Sequence, residues 1–362
     1  MRPQTDTLGT TQAGGGATPA PPAGRSGSAG RLRSRLGRLD RRFLPVLGTV
    51  ATLVVMLGVG QARYSTDNAS FVSMRLFSNL LVDNSYLLVL AVGMTFVILT
   101  GGIDLSVGAV VALVGLTVAQ LFIAGLPLPV VLAVGVLIGT LCGLVIGVMV
   151  QVFDIQPFIA SLAVMFLARG LANVVSVQSL AIDDPGFAAL ASWSIQFGEG
   201  SGLWRVNSSM VVAVVVLLLA FYLLHYTRFG RTVYGLGSGD DGSAVRLMGL
   251  RGERTRILVY VISGTCAGIA GILFAFYTRS GFNLTGIGME LDAIAAVVIG
   301  GTLLAGGVGF VLGTGVGVLV YGLIQVLIAR EGLDSWWTRV FIGIVLLAFV
   351  ILQRAISVRR KS

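Results

Sequence analysis

Apolar runs recur along this chain at close to the length that a bilayer demands. From residue 43 onward ten stretches carry almost no charge: 43–62, 76–98, 104–124, 129–151, 156–176, 208–226, 257–277, 289–304, 309–328 and 337–354. About 20 apolar residues in a helix cross the hydrocarbon core. The pattern therefore predicts an all-α polytopic membrane protein with about ten transmembrane helices. The eighth stretch is short and Gly-rich, and is expected to be broken or partly re-entrant.

Residues 1–42 are a different material. Met1–Gly30 is rich in Gly, Pro, Ala, Thr and Ser, a composition expected to be disordered. Arg31, Arg33, Arg35, Arg38, Arg41 and Arg42 make the remainder basic. A signal peptide would follow a short basic region with a short apolar core and a small-residue cleavage site. Here the apolar run is long enough to span. The tail is read as cytosolic, its arginines held at the anionic leaflet; a regulatory or partner-binding tail is the other reading.

Arg and Lys set the orientation. Eight of the 25 basic residues precede Phe43, six lie between Arg228 and Arg256, and four lie from Arg354 to Lys361. With ten spans and the tail inside, the 227–256 loop and the basic end 357–362 also fall inside, as the positive-inside rule requires. Both termini are then cytosolic. The segments 63–75, 125–128, 177–207, 278–288 and 329–336 fall outside, with the permease-like body covering 43–356.

Composition narrows the class. The chain has 362 residues, 55% hydrophobic and 11% charged, where a soluble domain is roughly 25% charged. That excludes an ordinary soluble enzyme. The net charge of +9 is clustered between apolar blocks, and no motif for nucleic-acid binding accompanies it. Cys142 and Cys266 lie in apolar runs and His225 is the only histidine, so no metal-ligand spacing exists.

Glycine carries a packing signal. Gly135, Gly139, Gly143 and Gly147 repeat every four residues in the fourth run, Gly309, Gly313 and Gly317 in the ninth, and Gly264 and Gly268 in the seventh. Small-xxx-small stripes let helix backbones approach closely in lipid. A ridge lining a path is the alternative.

Polar residues in or near the runs are the candidates for function. Asp104 follows paired glycines and opens the third run; it serves as a helix cap or lines a path. Glu290 and Asp292 open the eighth, where a helix N-terminus favours carboxylates. Two residues apart on a helix they diverge, which argues against an acid–base pair. Arg169 lies in the fifth run, free to snorkel, to pair with Asp183 or Asp184, or to meet a polar ligand. Gln156 starts that run beside Pro157, and Asn79, Asp83 and Asn84 stud the outer part of the second.

The 227–256 loop is the most informative soluble segment. Residues 243–248 suit a short helix capped by Ser243 or Asp241 and stopped by Gly249. Its apolar side fits either a partner's groove or the membrane surface. A phosphate-binding P-loop needs Gly-Lys-Ser/Thr, but the one lysine, Lys361, follows Arg360. If ATP drives this protein, another chain binds it. The stretches 107–112 and 294–299 are alike and would run in opposite directions, a hint of a 5+5 inverted repeat.

At three places the sequence stops being generic. AVGMTFVILTGGIDLSVG (91–108), ELDAIAAVVIGGT (290–302), and TRFGR (227–231) with RLMGL (246–250) occur in order. They resemble the signatures and the ATPase-facing loop of bacterial ribose-type ABC sugar importer permeases, over about 70–356. Val82-Asp83-Asn84, GTLLAGGVG (301–309) and SWWT (335–338) resemble the second permease of galactofuranose importers, which pairs with a different permease chain. The tail 1–42 departs from the pattern.

The resemblance implies a permease in the bacterial inner membrane that performs no bond chemistry. A periplasmic sugar-binding protein would deliver a monosaccharide, and two permease chains, hetero- or homodimeric, would enclose its path. A partner ATPase would hold ATP and Mg; no cofactor is implied for this chain. Arg228, Phe229, Gly230, Arg231, Ala244, Arg246, Leu247, Met248 and Gly249 would couple the two. The rivals are a branched-chain amino acid ABC permease and an ion-driven secondary carrier. The latter would want acidic relays deep in the bundle, whereas the acids here lie near run ends.

Overall fold

The computed structural model describes residues 44–66, 70–239, 245 and 249–358. The readings of the tail, of 359–362 and of Ala244, Arg246, Leu247 and Met248 lie outside the described residues. Along the chain run α1 (Leu44–Tyr64), α2 (Met74–Asp83), α3 (Ser85–Leu99), α4 (Val107–Ile123), α5 (Leu128–Gln151) and α6 (Pro157–Val175). After them come α7 (Pro185–Ser192), α8 (Ser208–Tyr226), α9 (Arg228–Leu236), α10 (Gly252–Thr278), α11 (Met289–Ile299), α12 (Val311–Arg330) and α13 (Ser335–Val358).

Every apolar run falls on a helix, but not every helix is a simple rod. By length and apolarity α1, α5, α6, α8, α10 and α12 qualify as spans singly, and α2 with α3 qualify together across a 64° bend. The helix α4 begins at Val107, three residues later than its run, and α11 stops at Ile299. Local chemistry sets several starts. Ser73, Asp184, Asn207 and Thr227 each accept a hydrogen bond from the backbone N–H three residues on, satisfying donors that a helix start leaves open.

The segment between α6 and α8 is not wholly helical, a departure from the all-α expectation. Strands β2 (Ser194–Phe197) and β3 (Trp204–Asn207) form an antiparallel hairpin, with Ser194 opposite Asn207 and Phe197 opposite Trp204. A second short ladder joins β1 (Leu180–Ala181) to β4 (Ser280–Gly281).

The core is built on α3, α4 and α10. Along α3 every residue but Tyr86 is buried, and α4 is buried from Val107 to Leu116. Apolar side chains point outward elsewhere: Leu137 and Leu141 on α5, Phe166 and Leu167 on α6, Leu218 and Leu219 on α8, Ile344 and Leu347 on α13. That exposure is what a lipid-facing surface requires.

Glycine lets the inner helices touch. A Cβ on Gly139 would stand 2.6 Å from the Gly268 nitrogen, and one on Gly264 would stand 2.7 Å from the Gly143 nitrogen. Gly135 faces Ile272, and Gly147 faces Ile257. The two stripes thus meet backbone to backbone where α5 crosses α10. The Thr140 and Thr265 hydroxyls bond across the same seam at 2.9 Å. Gly313 and Gly317 of α12 meet backbone at Gly300, just after α11, and at Ala296 of α11, while Gly309 precedes α12 and meets the Thr302 side chain.

Candidate functional site

Two helix breaks lie together at one end of the bundle. The first follows α3: Gly101 takes φ +79°, and residues 102–106 have no regular secondary structure before α4. Asp104 is fully buried in that break. Its Oδ1 accepts from the Ser106 N–H at 3.0 Å and the Ser106 hydroxyl at 2.6 Å, and its Oδ2 accepts from the Ser263 hydroxyl at 2.8 Å. Ser106, not Asp104, is the residue immediately before α4. Asp104 therefore ties that helix start to α10.

The second break follows α11. Gly301, Gly306 and Gly307 all have positive φ, a conformation that other residues adopt only with strain. The Gly307 N–H donates to the Leu99 carbonyl at 2.9 Å, which joins the two breaks. The short helix α9 seals the junction. Its Tyr234 hydroxyl donates to the Gly309 carbonyl at 2.9 Å. Just beyond it, Gly237 lies against Leu99, Gly306 and Gly307 so closely that a Cβ would collide with backbone on both breaks. His225, at the end of α8, stacks on Phe310 at 5.7 Å.

Of the residues expected to couple to an ATPase, Arg228, Phe229, Gly230 and Arg231 form the first turn of α9. Gly230 is buried against the Leu224 backbone, and Phe229 approaches Phe96 of α3 at 6.1 Å. Gly249 has φ +66° with open space around it. At the same end a cavity of about 430 Å³ is lined by Gln156, Asp154, Arg256, Tyr260 and Thr100.

The other candidates sit at the opposite end or between. Asn79 and Asp83 line a cavity of about 690 Å³ with Arg75, Arg330 and Tyr64. Asn84 is buried at the α2–α3 bend, its amide donating to the Leu80 carbonyl at 3.0 Å and facing Gly322 of α12. Arg169 does not pair with Asp183 or Asp184. Its Nη1 donates to the Asn283 and Thr285 carbonyls at 2.8 and 2.6 Å. Glu290 packs beside Gly108, and Asp292 faces Tyr321. These eight residues do not converge on one pocket.

Three groups in these sites carried no sequence signal of their own. Ser263, Tyr234 and Arg205 enter only because α10, α9 and the β2–β3 hairpin bring them there, Arg205 into a smaller cavity that Asp83 also lines. The one salt bridge among the described residues joins the end of α1 to the residue after α12. Arg63 Nε contacts Glu331 Oε1 at 2.5 Å. With a further bond from the Tyr64 hydroxyl, the Glu331 carboxyl is held down to about 2.

Residues 76–350 match the family profile described as the branched-chain amino acid transport system permease component. The chain belongs to this family of ABC importer permeases. Within the family it is similar to the fructose import permease of Bifidobacterium longum, with 41% identity covering 88% of this chain and 93% of that protein. The ribose import permease of Escherichia coli K12 is 36% identical, over 84% and 92% of the two chains. The galactofuranose transporter permease of the same strain is 39% identical, over 73% and 75%. No solved structure matches the chain.

Proposed function

We propose that this permease is the membrane subunit of a bacterial inner-membrane importer that moves a monosaccharide into the cell by alternating access. The observation that carries the reading is similarity along nearly the whole chain to relatives named for sugar import. Three different sugars are named among them, so the proposal is a monosaccharide class, with galactofuranose as one member.

In this reading the chain crosses the membrane ten times with both ends inside, in two inverted halves of five. The end carrying α9 and both breaks faces the cytosol. The hairpin end faces the periplasm and meets a sugar-binding protein. ATP and Mg belong to a partner ATPase that docks on α9 and the segment after it, and a second permease chain completes the path. Alternating access needs an element with two arrangements. The junction of α9 with both breaks supports that role, because any movement of α9 acts on α3–α4 and α11–α12 at once.

The test is uptake of radiolabelled ribose, fructose and galactose by a host stripped of its own importers and given the whole transport operon. Uptake of at least one sugar, lost when the ATPase gene alone is deleted, supports the proposal. Uptake that survives that deletion and collapses with a protonophore overturns it in favour of an ion-driven carrier.

A further inference from the structure

Beside the large outer cavity lies a smaller one, of about 330 Å³, in the angle of the α2–α3 bend. It lies under the β2–β3 hairpin and against the outer end of α10. Its walls include Asp83, Arg205, Asn207, Ser194, Ser209 and Tyr277. Small-molecule sites are about 300–1,000 Å³ and fix their ligands with a few placed polar groups, so this one suits a single small ring.

The hairpin holds its part of the wall in place. Ser78 of α2 accepts the Arg205 N–H at 2.9 Å and donates to the Arg205 carbonyl at 2.7 Å. Asn207 spends its Oδ1 on the Met210 N–H at 2.8 Å, which leaves its amide nitrogen to donate elsewhere. The Arg205 Nε is buried without a hydrogen-bond partner. A buried donor in that state loses its hydration with no return, and a ligand acceptor in the cavity would restore it.

We infer that this cavity is a holding site for a neutral polyhydroxylated ring, with Asp83 accepting from its hydroxyls, Arg205 and Asn207 donating to them, and Tyr277 covering an apolar face. The inference rests on the sugar-import reading. Charge selects the ligand class. Asp83 and Arg205 line one cavity with opposite charges and form no salt bridge with each other. Together they are neutral, so neither an anion nor a cation is favoured. A polyol both donates and accepts, and so satisfies the two at once. The 64° bend between α2 and α3 opens the angle that the cavity occupies.

The experiment uses the whole importer in membrane vesicles. In a chain carrying Cys142→Ala and Cys266→Ala, Ser194→Cys places a thiol on the cavity wall. Its labelling by a membrane-impermeant maleimide is followed with and without the sugar that the importer transports. The same sugar panel is run on Asp83→Asn and Arg205→Lys in the native background. Slower labelling with the transported sugar, and none with L-glucose, is expected. Loss of a charge-assisted hydrogen bond is expected to change the uptake ratio between two sugars about tenfold in Asp83→Asn. A merely structural residue would lower both sugars alike. If uptake persists while labelling ignores the sugar and the ratio stays fixed, the site is overturned and the import reading stands. If the cysteine-free chain fails to assemble, the uptake ratio alone decides. If the native importer takes up no sugar in the panel, both readings fall.

Discussion

Gly264→Ala isolates the contact on which the inner bundle depends. A Cβ there would stand 2.2 Å from the Gly139 carbonyl oxygen, 2.7 Å from the Gly143 nitrogen and 2.8 Å from its Cα. Non-bonded heavy atoms sit best more than about 3 Å apart, carbon pairs at about 3.5 Å, so the α5 and α10 backbones must part by about 1 Å. The atoms in the way are backbone, with no side chain that could rotate aside. Overpacking costs about 1–3 kcal/mol, and the rigid partner puts this substitution near the upper value. With an unfolding entropy of about 2 cal/mol/K per residue, about 3 kcal/mol lowers the melting temperature of a chain this long by roughly 4–5 °C. Gly170→Ala is the control, because nothing lies within 4 Å of its Cβ. It adds the same methyl group to a helix, where alanine is favoured over glycine by up to about 1 kcal/mol. Thermal melts of the detergent-solubilised chain, followed by size-exclusion fluorescence, compare the two. Equal melting temperatures would refute close backbone packing as the reason for the glycines.

Other outcomes follow from the same geometry. Gly237→Ala forces α9 away from both breaks, so ATP hydrolysis by the assembled importer is expected to continue with sugar uptake reduced at least tenfold, a loss of about 1.4 kcal/mol in coupling; proportionate loss of both activities would contradict the junction's role. Ser263→Ala removes one of three bonds to buried Asp104 and is expected to cost about 1.5–3 kcal/mol, read from the same thermal melt. Gly249→Asn should retain coupling and Gly249→Val should not, since Asn tolerates the left-handed backbone and a β-branched residue does not; coupled uptake in both would remove the constraint. The depressed Glu331 carboxyl contributes stability that is fully present above its ordinary value of 4.5 and lost as pH falls towards about 2. Melting curves of the native chain and Glu331→Gln should therefore converge across that interval, and a constant gap would deny the Arg63–Glu331 contact its role.

The helices were legible because their signal is local. A run of apolar residues reports burial in lipid or core wherever it sits, and the glycine spacing in 135–147 and 264–268 marks a face without a partner being known. At the bend Asp83, Asn84 and Ser85 interrupt the second run, but polar residues there fit a straight span as well, and the cause lies in what packs around them. The hairpin did leave a mark. Ser194–Phe197 and Trp204–Asn207 alternate in polarity around Gly198, Gly200 and Gly202, a strand–turn–strand pattern that the length of the 177–207 loop obscured. Asp104 shows the limit best. Its spacing allowed a cap or a path, and the choice turned on Ser263, 159 residues away. Likewise nothing at Gly237 foretells Leu99 and Gly307. Which residues share a cavity is a property of the assembled bundle, and so the candidate path residues, each reasonable alone, divided between its two ends.

The central claim is that this chain forms the sugar path while another chain supplies the ATP energy. It is tested most directly by purifying the tagged chain in mild detergent and identifying what accompanies it by mass spectrometry. A stoichiometric P-loop ATPase, together with a second permease chain or a second copy of this one, is the expected result. Loss of that ATPase when the first turn of α9 is altered at Phe229 would locate the contact. A chain that purifies alone from membranes whose importers otherwise remain assembled would contradict the claim and make α9 a feature of the fold only.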